Sequence, residues 1–196
     1  MIRNKFNNQL EFSSQLRKSD FKQRIVKIKK IKNWIYLNKA KIRSALSKDL
    51  SRPELETNIT EILTTVDMAN DIIKNLKKWM APKSIPSSLS VITSKSSTEY
   101  YPKGTVLIIS PWNFPFQLCI APLLYSIAAG NTAIIKPSEM TPATSNLVYE
   151  MVNELFEEKE VCVIEGAVEE SEQLLELPFN HISVSYTHLR AHETRT

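Results

Sequence analysis

Apolar residues in the first part of the chain recur every three or four positions. Phe21, Ile25, Ile28, Ile31 and Ile35 form one such stripe, the spacing of a helix that buries one face. Asp20 stands where an N-cap belongs, so the pattern predicts a helix from about Asp20 to about Lys48. Ser51-Arg52-Pro53-Glu54 interrupts and restarts it. Leu55, Ile59, Ile62, Leu63, Val66, Ile73 and Leu76 then carry a second helical stripe to about Met80. Ala81-Pro82-Lys83-Ser84-Ile85-Pro86 ends that helix, because each proline disfavours helix at the residue before it. Residues 87–101, rich in Ser, Thr, Val, Ile and Tyr, read as one or two short strands.

The pattern changes at Gly104. Val106-Leu107-Ile108-Ile109 is an unbroken apolar run, as expected of a strand covered on both faces. Ser110-Pro111-Trp112-Asn113 breaks it, Pro115 opens an apolar helix, and Gly130-Asn131 closes that helix. A second apolar strand, residues 132–135, ends at Lys136-Pro137-Ser138-Glu139. Thr141-Pro142 starts another helix in a cap-then-proline pattern, and it continues to about Glu157. Val161-Cys162-Val163-Ile164 is a third strand, residues 168–177 a short helix, and His181-Ile182-Ser183-Val184 a fourth strand. This alternation predicts an α/β fold: N-terminal helices followed by the first half of a doubly wound parallel sheet with right-handed crossovers. In such sheets ligands bind beyond the carboxyl ends of the strands, where Asn113, Lys136 and Glu139 fall.

Composition narrows the picture. A chain of 196 residues, 42% apolar and 23% charged, can bury a core and is not bulk-disordered. Its charge is uneven: residues 1–50 hold 14 Lys or Arg against 3 Asp or Glu. A basic arm could dock on nucleic acid or an anionic membrane as a non-catalytic binding module. The lysines, however, fall opposite the apolar stripe, as on a solvated helix face, and neither a zinc-ligand pattern nor an RNA-binding motif accompanies them. No nucleic-acid partner is therefore expected. No apolar window has the length of a membrane span and no signal-peptide core opens the chain, so a cytoplasmic location is expected. Cys119 and Cys162 lie in apolar segments and read as buried thiols. His188 and His192 lack the glutamate of a zinc-protease helix, so no metal is expected there.

Several motifs in register resemble the N-terminal part of an aldehyde dehydrogenase, of the class-3 or fatty-aldehyde branch, over residues 6–184. They are Asp49-Leu50-Ser51-Arg52-Pro53-Glu54 with Glu61-Ile62; Pro111-Trp112-Asn113-Phe114-Pro115; and Ala128-Ala129-Gly130-Asn131 leading to Lys136-Pro137-Ser138-Glu139. Glu165-Gly166-Ala167-Val168-Glu169-Glu170 and Phe179-Asn180-His181-Ile182 complete the set. The resemblance implies a Rossmann-like cofactor domain and oxidation of aldehydes to carboxylic acids with NAD or NADP. In that family a cysteine thiolate attacks the aldehyde, hydride passes to the nicotinamide, and water releases the acid.

The resemblance also implies roles. Asn113 is the catalytic candidate, its amide donating to the oxyanion of the thiohemiacetal, although Asn and Pro are also ordinary turn chemistry. Lys136 resembles the residue that holds the adenosine ribose or a 2′-phosphate, and Glu139 the acid that accepts from ribose hydroxyls; read without the family, they are a solvated strand end. Ser110, Trp112, Ser138 and Gly166 join them as cofactor-binding candidates, with Gly166 either lining the adenine pocket or permitting a tight turn. A Lys beside a Glu leaves NAD against NADP open.

The family's cysteine, general-base glutamate and glycine-rich turn lie downstream of Val184 by the same resemblance, so the chain alone is expected to be inactive and prone to aggregate along an open sheet edge. The expected organisation is a helical segment at 1–86, bridging strands at 87–103 that belong to a homodimer's oligomerising layer, a partial cofactor domain at 104–184, and a polar, aperiodic, foreign-looking tail at 185–196.

Overall fold

The computed structural model describes residues 1–86 and 95–185. Helices come first: α1 (Ile2–Leu16), α2 (Phe21–Leu37) and α3 (Lys39–Leu50). A further helical run consists of α4 (Glu54–Thr57), a π-helical turn (Asn58–Leu63) and α5 (Thr64–Trp79). Asp20 caps α2 as expected, in a capping box with Gln23. The helix predicted onward to Lys48 instead breaks at Asn38, whose side-chain amide donates to the Trp34 carbonyl at 2.9 Å and closes α2. The α1 helix was not foreseen; its apolar positions are too sparse to set a period.

A short antiparallel pair, β1 (Lys83–Ile85) and β2 (Ser96–Thr98), follows. The strands expected at 87–101 are thus represented by β2, while 87–94 lie outside the described residues. The α/β part then runs β3 (Thr105–Ile109), α6 (Gln117–Ala129), β4 (Thr132–Lys136), α7 (Pro142–Leu155), β5 (Val161–Val163), α8 (Val168–Leu175) and β6 (His181–Val184). The four strands pair in the order β5-β4-β3-β6, all parallel. Strand order therefore reverses beside β3, the topology of a doubly wound sheet.

The two faces of the sheet divide its side chains. Val106, Ile108, Ala133, Ile135, Val161 and Val163 point into a core shared with α2, α3, α5, α6 and α7. Leu107, Ile109, Ile134 and Cys162 face the other way, against Phe6 of α1 and Leu174 of α8. This alternation is why the strand sequences are apolar throughout rather than at every second position. The unforeseen α1 thus supplies part of the cover for the second face.

The second predicted helical stripe is corrected in part. Ile62, Val66 and Leu76 are buried, but Leu55, Ile59 and Leu63 are exposed. A π turn takes more residues per revolution than an α turn, so positions before it rotate relative to those after it. Thr57 and Glu61 occupy the buried face instead.

Candidate active site

β3 and β4 end side by side. Ile109 lies opposite Lys136, and the Ser110 N–H donates to the Lys136 carbonyl at 3.1 Å. The segments carrying Asn113 and Glu139 therefore leave the sheet from neighbouring strand ends. On the far side of β4, the Ile164 N–H donates to the Ile135 carbonyl at 2.9 Å, which brings the turn at Gly166 to the same edge.

Lys136 is only 2% exposed, and its ammonium holds the Glu139 carboxylate at 2.7 Å. Burial alone would raise the Glu139 carboxyl, but the hydrogen bond and charge of Lys136, with a backbone N–H, hold it below the ordinary value. The Lys136 end of the pair is thus sunk, and the carboxylate stands half-exposed at the rim. Trp112 and Asn113 stand exposed on the neighbouring segment. Asn113 is held through its backbone: its carbonyl accepts from the Arg52 guanidinium.

The other candidates are placed differently. Ser110 is buried and its hydroxyl donates to the Leu118 carbonyl at 2.8 Å, so it is turned away from the rim. Ser138 is also buried, and its hydroxyl accepts the Met140 N–H at 3.2 Å, shaping the turn below Glu139. Gly166 has φ +149°, and a Cβ there would meet the Glu170 side chain, so the glycine is required by the turn whatever else it touches.

Both cysteines are buried, and burial first of all pushes each thiol up to about 12. Neither can be an activated nucleophile near neutral pH. Cys119 instead packs within electrostatic reach of Ser110, Glu61 and Lys136.

The motif reading gave Arg52 and Glu61 no role, yet they carry the segment bearing Asn113. Glu61 is fully buried. One of its carboxylate oxygens accepts from Arg52, and the other accepts the Gln117 N–H at 2.7 Å. The available signal was an acid beside Ile62 inside an apolar stripe, because a buried charge without partners is costly.

Sheet order, strand-end chemistry and motifs together match one class of protein. The chain belongs to the aldehyde dehydrogenase family, whose model matches residues 6–184. It is 38% identical over 182 residues to the 4,4′-diaponeurosporen-aldehyde dehydrogenase of Staphylococcus aureus, covering 93% of this chain and 40% of that protein. It is 39% identical over 166 residues to aldehyde dehydrogenase family 3 member I1, chloroplastic, of Arabidopsis thaliana, covering 85% of this chain and 30% of that one. A substrate-bound structure of Staphylococcus aureus AldH superposes with a TM-score of 0.90 at 38% identity, over 93% of this chain and 40% of that chain. The succinic semialdehyde dehydrogenase of Streptococcus pyogenes, solved in complex with NADP+, shares the fold with a TM-score of 0.80 at 16% identity, over 93% of this chain and 39% of that chain. The chain thus spans about 40% of the length of the curated relatives it matches first.

Proposed function

We propose that these residues form the cofactor-side part of an NAD(P)-dependent aldehyde dehydrogenase of the class-3 type, in which Asn113 stabilises the oxyanion and Lys136 with Glu139 holds the adenosine ribose. The observation that carries this reading is the bond between the Ser110 N–H and the Lys136 carbonyl, which joins the two strand ends and puts both groups on one edge of the sheet. The exposed Trp112 and the turns at Ser138 and Gly166 flank that edge.

The residues present suit a dinucleotide. A half-exposed carboxylate can accept from ribose hydroxyls, and the ammonium beneath it offers a cation to a 2′-phosphate. When bound, NAD or NADP supplies the acceptor for the hydride removed from the aldehyde. This chain's own contribution is positional and electrostatic. The Asn113 amide, exposed and with no side-chain hydrogen bond among the described residues, is free to donate to an alkoxide. The nucleophile must be a thiolate other than Cys119 or Cys162, so the chain on its own is expected not to turn over. Among the described residues no helix is long and apolar enough to cross a membrane. A cytoplasmic, homodimeric whole protein, with β1 and β2 in its oligomerising layer, is the organisation consistent with the family.

The basic helices do not favour the rival binding-module reading. Lys5 pairs with Glu158 and Lys27 with Glu160, so part of that charge is spent inside the molecule. DNA binding that weakens steeply with salt would revive the rival.

The decisive experiment is Asn113→Ala in the whole protein that carries these residues. Turnover should fall by roughly 100–1000-fold with dinucleotide affinity nearly unchanged. Unchanged turnover removes the oxyanion assignment.

A further inference from the structure

An exposed asparagine whose side chain makes no hydrogen bond among the described residues needs its aim fixed through the backbone. Here both ends of residues 113–117 are pinned to one buried ion pair. Arg52 donates to Glu61 through one guanidinium nitrogen and to the Asn113 carbonyl through another. Its plane lies over the Phe114 ring, 5.0 Å from the centroid. Glu61 uses its second oxygen on the Gln117 N–H, the start of α6. The segment is thus clamped at its entrance, its aromatic side chain and its exit.

The pair sits where it does because of the π-helical turn Asn58–Leu63. Continued as an α-helix, the stripe would have buried Ile59 in that region; the wider turn exposes Ile59 and turns Glu61 inward. Such turns recur at functional sites because they re-aim one side chain at the cost of regular packing. Stability does not explain the choice, since apolar residues of similar volume commonly replace a buried ion pair without loss. A planar guanidinium with several fixed donors does explain it, because it sets direction as well as distance.

We propose that Arg52 and Glu61 are positioning residues for the oxyanion donor: they lock residues 113–117 so that the Asn113 amide is already aimed before the aldehyde reacts. This rests on the reading of Asn113 given above.

The test is a double-mutant cycle in the whole protein, with Arg52→Met, Glu61→Gln and Asn113→Ala measured singly and in pairs. Arg52→Met should lower kcat roughly 10–100-fold, the effect of a misplaced catalytic group, while the dissociation constant for NAD or NADP stays within about twofold. Combined with Asn113→Ala, it should cost almost nothing more, because the group it positions is gone. Glu61→Gln keeps an acceptor for Gln117 and should show a smaller loss with the same non-additivity, which covers the case where Arg52→Met fails to fold. Trp112 emission, one residue from Asn113, should change in both variants. Losses that multiply in the double mutants would overturn the proposal and leave the Asn113 assignment standing. An inert Asn113→Ala would overturn both.

Discussion

The guanidinium of Arg24 occupies the space that a Cβ on residue 130 would need, so Arg24 and Gly130 are fitted to each other. Arg24 is buried, which lowers its pKa, and it donates to the Ala128 carbonyl at 3.0 Å and the Ser19 hydroxyl at 2.9 Å. It therefore places a positive charge at the carboxyl end of α6, while Glu61 meets the N-terminal end of the same helix. The helix behind the Asn113 segment is gripped at both ends by the helical layer.

Gly130→Ala should consequently be one of the more damaging small substitutions in the chain. The residue has φ +83°, and the added methyl must also displace a buried cation. A loss of roughly 2–4 kcal/mol in urea unfolding is expected. Gly130→Asn separates the two contributions, since asparagine tolerates the left-handed region but still carries a Cβ. If Asn restores most of the stability, backbone strain rather than the fit to Arg24 is the main cost.

A second dependence crosses the fold at Asp49. Its carboxylate accepts the Ala143 N–H at 3.0 Å and the Thr144 N–H at 2.7 Å, capping α7 from the end of α3. Asp49→Ala should cost about 1–2 kcal/mol in urea unfolding, because the N-cap residue itself, Thr141, makes no side-chain cap bond and donates to the Ser138 carbonyl instead.

That pair shows where sequence reading reached its limit. The start of α7 was legible from Thr141-Pro142, since proline prefers the first turn, but the capping group comes from 94 positions away. Local pattern cannot supply such a partner. Strands β3, β4 and β5 were legible because burial on both faces leaves mostly apolar residues between turns, and their alternation with helices made the parallel order legible. β6, mostly exposed, was legible from that alternation alone. The rim of Asn113, Lys136 and Glu139 was legible because polar residues stand out at the ends of such runs. The π turn was not. It leaves no residue-type signature and shifts the phase of a stripe, so Leu55 and Ile59 were assigned inward and Glu61 received no role.

Glu61 also carries a pH prediction. Burial raises its carboxyl despite the opposing pull of the Gln117 N–H and Arg52. Between the ordinary carboxylate value and the raised one, the folded chain keeps a proton that the unfolded chain releases. Stability should therefore fall as pH rises through that window. Urea midpoints for the unaltered chain and Glu61→Gln, compared across about pH 4–8, should converge at the acid end once a constant offset is removed. The unaltered chain should then decline relative to the variant as pH rises. A difference independent of pH would show that folding leaves the Glu61 carboxyl unshifted.

If Lys136 and Glu139 hold the adenosine ribose as proposed, their division of labour should set cofactor choice. The cation is sunk and the carboxylate stands at the rim, so an arriving 2′-phosphate would meet the negative group first. Glu139→Gln removes that repulsion, keeps an acceptor for ribose hydroxyls and frees the ammonium of its counter-charge. Affinity for NADP should rise relative to NAD by about tenfold, roughly 1.4 kcal/mol, with the gain shrinking at high salt because the rim is exposed. Lys136→Met should act in the opposite sense, weakening NADP more than NAD. Quenching of tryptophan emission on titration with each dinucleotide gives both ratios. If Glu139→Gln left the ratio unchanged, the carboxylate would not lie beside the ribose 2′ position, and Lys136 and Glu139 would serve the strand end alone.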